Sequence, residues 1–158
     1  MDERAQALER IYRERYVGFR NALATITGDY ESARDVVQEA FARALKSRGA
    51  LRSEHALEAW LWRIAIRTAL EFRGEHPAAA LNGAIDPMVV DPDRDPELAE
   101  ALRRLPPRRR LIVFLRYFAD LSYDQIAEAC GVAEGTVAAT LAQARDELEQ
   151  TLTEGAKP

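Results

Sequence analysis

The sequence predicts an all-α protein made of two small helical domains, one resembling a helix-turn-helix unit, joined by a flexible acidic linker. Apolar residues recur at helical spacing over most of residues 3–72 and 97–152, and no segment alternates with the period of a strand. Residues 75–96 hold four of the seven prolines, have a net charge of −4 and show no amphipathic period. The predicted units are therefore residues 1–74, 75–96 and 97–158.

Three helices are predicted in the N-terminal domain. Residues 3–26 carry a wide apolar stripe, which a glycine and Asp29 interrupt. The carboxylate of Asp29 can accept from an unpaired backbone N–H, so this residue is expected to cap a second helix over residues 31–46. A third helix is expected over residues 53–72, and Gly74 is expected to end it.

The C-terminal domain is predicted to begin with two short helices. Asp95 is suited to cap a helix over residues 97–105, because Pro96 then falls in the first turn, where proline is tolerated. The two prolines at residues 106–107 stop this helix, and an apolar stripe predicts the next one over residues 108–118.

The pattern over residues 121–152 predicts a helix-turn-helix. Ser122 and Gln125 have the spacing of a capping box, in which each side chain satisfies a backbone N–H of the first turn. Gly131 can adopt the left-handed conformation that ends a helix, and Val137 can pack the second helix against the first. The alternative is an ordinary pair of antiparallel helices in a bundle.

Composition limits the classes of protein to consider. The chain has 158 residues, of which 47% are hydrophobic and 30% charged, as expected for a folded domain. No apolar run approaches the roughly 18–20 residues that span a bilayer, and the charged N-terminus has no signal-peptide core. We therefore expect a cytoplasmic protein without membrane insertion. The single cysteine, Cys130, lies on an apolar helix face and is expected to be a buried thiol.

No group of residues predicts catalysis. His55 and His76 are isolated histidines, and there is neither a metal-ligand cluster nor a phosphate-binding glycine loop. We expect no enzymatic activity, no cofactor, no metal and no small-molecule substrate.

Three stretches together resemble a known family. They are DYESARDVVQEAFARAL (29–45), EAWLWRIAIRTALEFR (58–73) and LPPRRRLIVFLRYFADLSYDQIAEACGVAEGTV (105–137). In this order and spacing the chain resembles the extracytoplasmic-function group of bacterial sigma factors, which are initiation subunits of RNA polymerase built from sigma domains 2 and 4. The resemblance implies core RNA polymerase and promoter DNA as partners. It also implies an anti-sigma factor as a regulator, which no pattern in the sequence identifies.

The resemblance assigns two sets of residues in the N-terminal domain. The helix that docks on polymerase would use Asp35, Gln38, Glu39, Phe41 and Arg43, a mixed-charge face with an aromatic anchor. The promoter-melting region at the −10 element would use Arg52, Trp62, Arg63, Arg67 and Arg73, because aromatic rings stack on exposed bases and arginines pair with phosphates. Trp60 is expected in the core, which makes Trp62 the better candidate for DNA.

The second helix of the helix-turn-helix departs from the family. The positions that would meet the −35 element are degenerate, and they are Thr136, Ala138, Ala139, Ala142, Gln143 and Arg145. Phosphate neutralisation supplies much of any affinity for DNA, so we expect weak −35 recognition. One hypothesis is a working sigma factor that opens a −10-like element. The alternative is a sigma-like interaction module that binds polymerase or a regulator without selecting promoters.

Overall fold

The computed structural model describes residues 2–53, 56–75, 95–117 and 119–155. Within them the chain forms seven α-helices and one 3-10 turn. They are α1 (Glu3–Thr27), α2 (Tyr30–Ser47), the 3-10 turn (Arg48–Ala50), α3 (Leu57–Glu75), α4 (Pro96–Arg104), α5 (Pro107–Tyr117), α6 (Tyr123–Cys130) and α7 (Glu134–Gly155). The all-α prediction is confirmed. Nearly all of the predicted linker lies outside the described residues.

The first helices begin and end where local side chains satisfy the backbone. The carboxylate of Asp29 accepts from the backbone N–H of Ser32 at 2.6 Å, so the predicted cap of α2 is confirmed. Gly28, in the left-handed conformation, ends α1. The expectation that Gly74 ends α3 is wrong, because the helix continues through it to Glu75. A glycine at helical φ costs only about 1 kcal/mol, so it is a weak stop on its own.

The helices α1, α2 and α3 pack around one aromatic cluster. The ring of Phe41 from α2 meets the rings of Phe19 and Tyr12 from α1 edge-on, with centroids 5.4 and 5.0 Å apart. Leu61 of α3 and Val37 of α2 are fully buried beside them. Tilted and edge-on aromatic pairs add to the free energy gained by burying the rings.

In the C-terminal half, Asp95 caps α4 by accepting from the N–H of Leu98 at 3.1 Å. The buried guanidinium of Arg110 in α5 donates to the backbone carbonyls of Arg103 and Leu105 at 3.0 and 3.1 Å. The last carbonyls of any helix lack the usual backbone donors, and the hydrogen bonds from Arg110 at this end of α4 fix the elbow between α4 and α5.

The helix-turn-helix forms as predicted. Ser122 Oγ accepts from the N–H of Gln125 at 3.1 Å, and Gln125 Oε1 accepts from the N–H of Ser122 at 2.9 Å, which completes the capping box. Gly131 has a φ of 67° and ends α6. The apolar stripe of α7 is buried against α6 and the earlier helices, and its members are Val137, Leu141 and Ala144.

The two helical halves pack directly against each other. α5 lies on α1, and α6 lies on α3. The ring of Phe114 in α5 contacts the indole of Trp62 in α3 edge-on, with centroids 6.4 Å apart. The buried apolar residues of both halves consequently form one continuous core.

Candidate protein and nucleic-acid interfaces

The predicted docking face of α2 is exposed in part. Asp35, Gln38 and Glu39 lie on the side of α2 opposite its buried stripe, and all three are exposed. Phe41 does not share this face, since it is 5% exposed and belongs to the aromatic cluster. The expectation of an aromatic anchor on the surface is therefore corrected, because a ring at this position of the helix points between α1 and α3.

Arg43 joins two helices of the same chain. Its guanidinium donates to Glu39 within α2 at 3.0 Å and to Glu71 of α3 at 2.7 Å, and it also reaches the hydroxyl of Thr68 at 3.3 Å. The hydrogen bond to Glu71, followed by that to Glu39, raises the pKa of Arg43 above its usual value. Nε and Nη1 of Arg43 are thus bonded inside the chain.

An apolar groove lies beside the docking face. It runs between α1 and α2, has a volume of about 590 Å³, and is lined by Leu8, Tyr12, Gln38, Phe41 and Leu45 among others. Leu45 is 39% exposed at its edge. Phe41 therefore contributes to the floor of a groove next to the polar face, although it does not protrude from the helix.

The two tryptophans of α3 occupy the opposite environments from those expected. Trp62 is 2% exposed and stacks on Phe19, with ring centroids 3.8 Å apart and planes 14° apart. Its indole N–H is buried without a hydrogen-bond partner. Trp60 is only partly buried. Trp62 is covered by Phe19 of α1, on which it stacks, and by Phe114 of α5, whose ring meets it edge-on.

The arginines assigned to the −10 element fall into two groups. Arg52, Arg67 and Arg73 are exposed. Arg63 is partly buried, and its guanidinium lies 3.9 Å from the carboxylate of Glu128 in α6. In this arrangement Arg63 therefore faces an acidic side chain of the other half of the molecule.

The exposed surface of α7 carries little charge at the positions assigned to the −35 element. It presents Thr136, Ala138, Ala139, Ala142 and Gln143, which are all exposed. Arg145, the basic residue of this helix, donates to the hydroxyl of Tyr117 in α5 at 3.3 Å, and this bond raises its pKa. Of the six positions assigned to the −35 element, five are therefore uncharged, and the sixth, Arg145, is bonded to Tyr117.

Metal sites and membrane-spanning helices are not found in the described part of the chain. Residues 2–53, 56–75, 95–117 and 119–155 contain no group of three or more side chains suited to hold a metal ion. Among the same residues no helix is long and apolar enough to cross a bilayer. Burial raises the pKa of Cys130 to about 11.

Three residues at the contact between the halves were not anticipated: Gly18, Phe114 and Glu128. A signal for this contact is present in the sequence, because Leu111–Leu115 is a run of five consecutive apolar residues, and all five are buried. A helix on the surface of its domain needs an apolar stripe only, whereas a helix that is apolar all round must be covered on every side.

Comparison with known proteins gives the class of this chain. Residues 11–75 match the family model for sigma-70 region 2, and residues 96–148 match the model for sigma-70 region 4. The chain belongs to the sigma-70 family of RNA polymerase sigma factors.

The relatives narrow this assignment to the extracytoplasmic-function group. The chain is 33% identical to RNA polymerase sigma factor SigV of Bacillus subtilis over 119 residues, which is 72% of each protein. It is 33% identical to the RNA polymerase sigma-H factor of Pseudomonas aeruginosa over 78% of this chain and 75% of that protein. It is 31% identical to the ECF RNA polymerase sigma-E factor of Escherichia coli K12 over 73% and 71%.

Solved structures share the fold. The sigma factor RpoE in complex with the anti-sigma factor NepR from Bartonella quintana matches with a TM-score of 0.65 at 21% identity, covering 92% of this chain and 98% of RpoE. CnrH in complex with the cytosolic domain of CnrY also matches with a TM-score of 0.65 at 21% identity, covering 96% and 90%. At this identity the likeness concerns the fold alone.

Proposed function

We propose that this protein directs promoter-specific initiation by docking on core RNA polymerase through α2 and by opening a −10-like element through α3. The contribution of α7 to −35 recognition is small. The observation that carries the proposal is the contrast between two helices. α2 keeps a polar, charged face exposed, whereas the reading face of α7 has Arg145 as its one charged residue, and this residue is bonded to Tyr117.

The docking surface combines two features that protein interfaces require. Asp35, Gln38 and Glu39 are neighbours on one helix face, at i, i+3 and i+4. The groove beside them has apolar walls that include Tyr12 and Leu45. An apolar centre with a polar rim is the usual composition of an interface core and its edge. In this proposal Arg43 holds α2 against α3 and does not touch polymerase.

Because Trp62 is buried, we assign the DNA-contacting surface of α3 to the accessible residues of this helix. Trp60 and Arg67 are seven residues apart, so they lie on the same side of the helix, and Arg73 is exposed further along. We assign base stacking to Trp60, the more accessible tryptophan, and phosphate contacts to Arg67, Arg73 and Arg52. Single-stranded DNA is commonly bound by this combination of aromatic platforms and cations.

A weak −35 contact is compatible with promoter selection. Once the protein is bound to polymerase, its DNA-binding surfaces act at a high effective concentration, and weak contacts then suffice. We further propose that the protein acts with polymerase in the cytoplasm. The structure of the sigma factor RpoE bound to the anti-sigma factor NepR supports an anti-sigma factor as its regulator.

Capture of core polymerase followed by run-off transcription on genomic fragments tests this function. Asp35→Arg is expected to weaken capture by about tenfold or more, as for a charge at the centre of an interface. Glu14→Arg introduces the same change of charge at an exposed position of α1 and is expected to leave capture unchanged. Arg67→Ala with Arg73→Ala is expected to keep capture and to lose the transcript.

The same experiment separates the two functional hypotheses. A protein that captures polymerase but yields no specific transcript from any fragment is an interaction module, and promoter selection is then excluded. A protein that does not capture polymerase contradicts both hypotheses.

A further inference from the structure

The start of α1 is tied to the end of α2 by three side chains, which we call the loop anchor: Asp2, Arg4 and Arg48. Nε of Arg48 donates to Oδ2 of Asp2 at 2.8 Å, and Nη1 of Arg4 donates to the backbone carbonyl of Arg48 at 2.8 Å. The partners are 46 and 44 residues apart in the sequence, so these bonds are tertiary contacts and not local caps. The loop anchor therefore fixes the beginning of α1 against the point where α2 ends.

Asp2 and Arg48 are both held in place by further hydrogen bonds. Oδ1 of Asp2 accepts from the N–H of Ala5 at 2.8 Å, which caps α1 and leaves Oδ2 for Arg48. Nη1 of Arg48 donates to the carbonyl of Leu45 at 2.6 Å. The hydrogen bond from Ala5, followed by that from Arg48, lowers the pKa of Asp2 below its usual value. The carboxylate is therefore ionised at neutral pH and accepts from both donors.

The loop anchor lies directly before the segment that carries Arg52. The carbonyl of Arg48, besides accepting from Arg4, accepts from the N–H of Leu51 at 3.3 Å and so closes the 3-10 turn. Leu51 is 4% exposed and belongs to the core, whereas Arg52, the next residue, is exposed. One carbonyl thus receives both a long-range bond and the bond of the turn, and a buried side chain follows it. These contacts set the direction in which the backbone reaches Arg52.

A fixed backbone at this point favours binding through Arg52. A side chain on a mobile segment loses conformational freedom when it binds, and this loss reduces affinity. The loop anchor removes part of the loss, since the backbone before Arg52 is already held in the free protein. Asp2 and Arg4 need not touch DNA for this effect.

We propose that Asp2, Arg4 and Arg48 are positioning residues for recognition of the −10-like element, because they hold the backbone that presents Arg52 to DNA. This inference rests on the proposed contact between Arg52 and DNA. Arg48 and Asp2 form an ion pair whose side chains are 40% and 54% exposed, so the pair adds little to the stability of the fold. Its effect is expected on DNA binding and not on folding.

Two variants with matched controls break the loop anchor. Asp2→Ser keeps an oxygen that can cap α1 but has no carboxylate for Arg48, and its control Glu3→Gln removes a carboxylate from the next, exposed position. Arg4→Ala removes the bond to the carbonyl of Arg48, and its control Arg10→Ala removes an exposed arginine of the same helix. None of the four changes alters a residue that the proposed function places on DNA or on polymerase.

Run-off transcription with saturating core polymerase measures DNA recognition, and thermal unfolding of the free protein measures the fold. For a genomic fragment that yields a specific transcript, the fragment concentration at half-maximal transcript is expected to rise about three- to tenfold in Asp2→Ser and Arg4→Ala and to stay unchanged in both controls. The midpoint of thermal unfolding is expected to stay within about 2 °C in all four variants. An equal loss of affinity in a control, or a loss that accompanies a larger fall in the midpoint, overturns the proposal.

The Arg52→Ala background shows whether the loop anchor acts through Arg52. Alone, Arg52→Ala is expected to raise the half-maximal fragment concentration, and adding Asp2→Ser to it is expected to have no further effect. A further loss in the double variant means that the contact acts elsewhere in the fold, and the proposal is then wrong.

The same measurements separate this inference from the proposed function. Asp2→Ser and Arg4→Ala that need no more fragment than the unmodified protein, while Arg52→Ala needs more, overturn the role of the loop anchor and leave the proposed function intact. Unchanged recognition in Arg52→Ala removes the DNA contact of Arg52 and this inference together. An unmodified protein that yields no transcript from any fragment contradicts the proposed function itself, and the inference falls with it.

Discussion

At the scale of single residues, burial sets the chemistry of Cys130. Desolvation raises the pKa of its thiol from 9.0 to about 11, since the thiolate is the form that burial disfavours. At pH 8 the folded protein should hold only about one thiolate per thousand molecules, and alkylation by iodoacetamide should be correspondingly slow.

This shift also predicts a dependence of stability on pH. The pKa of the Cys130 thiol is higher in the folded protein than in the unfolded chain. The thiol's contribution to the free energy of unfolding is therefore fully present below pH 9 and is lost as the pH rises from about 9 to about 11. Urea unfolding at several pH values checks the loss, with a Cys130→Ala variant as the control that lacks it. Alkylation of the folded protein at the rate of the urea-unfolded chain would contradict the buried thiol.

The exchange of roles between Trp60 and Trp62 shows where residue-scale prediction fails. Helical spacing alone places Trp60 on the apolar stripe that includes Leu57, three residues earlier, which predicts burial. Trp62 is buried instead, because its indole stacks on Phe19 of α1 and meets the ring of Phe114 of α5. Such burial depends on contacts between residues distant in sequence, and no local pattern in α3 contains them.

At the scale of elements, local capping was predicted and distant contacts were not. The caps at Asp29, Asp95 and Ser122 and the left-handed Gly131 depend on residues within one turn of the helix end, so spacing alone identified them. The predicted docking residues of α2 are exposed except Phe41, and Arg43 is engaged by a carboxylate 28 residues away in sequence. Whether a charged side chain faces a partner or its own chain depends on such distant neighbours.

The surface of α7 can be recharged without altering its packing. Ala138 and Gln143 are exposed, whereas the stripe of Val137 and Leu141 holds the helix in place. Ala138→Arg with Gln143→Arg is expected to strengthen binding to duplex DNA and to steepen its salt dependence by roughly 2 units of the log–log slope, since two phosphates are neutralised. Binding titrations over a range of salt concentrations measure both quantities.

Gln150→Arg with Thr153→Arg is the matched control, because it adds two charges to the exposed end of the same helix. An equal gain in the control would mean that net charge, and not the position on the reading face, determines the effect. No gain in either variant would mean that α7 is not presented to DNA.

At the scale of the whole molecule, the continuous core predicts cooperative unfolding. Both tryptophans lie in α3, so their fluorescence reports the N-terminal half, whereas circular dichroism reports all helices. We expect the two signals to change at the same urea concentration, because Trp62 and Phe114 couple the halves. A Cβ added to Gly18 would lie 3.9 Å from the ring of Phe114, so the larger side chain of Gly18→Ile is expected to separate the two transitions. Two transitions in the unmodified protein would show that the halves unfold independently.

The buried guanidinium of Arg110 has a mechanical consequence for the molecule. From within α5 it binds the backbone carbonyls of Arg103 in α4 and of Leu105, the residue that follows α4. We therefore expect α4 and α5 to move together as one arm, which starts at Pro96 and carries the ring of Phe114. A force applied to the chain at Pro96 is then expected to act through α4 and α5 on the ring of Phe114, which meets the indole of Trp62 edge-on.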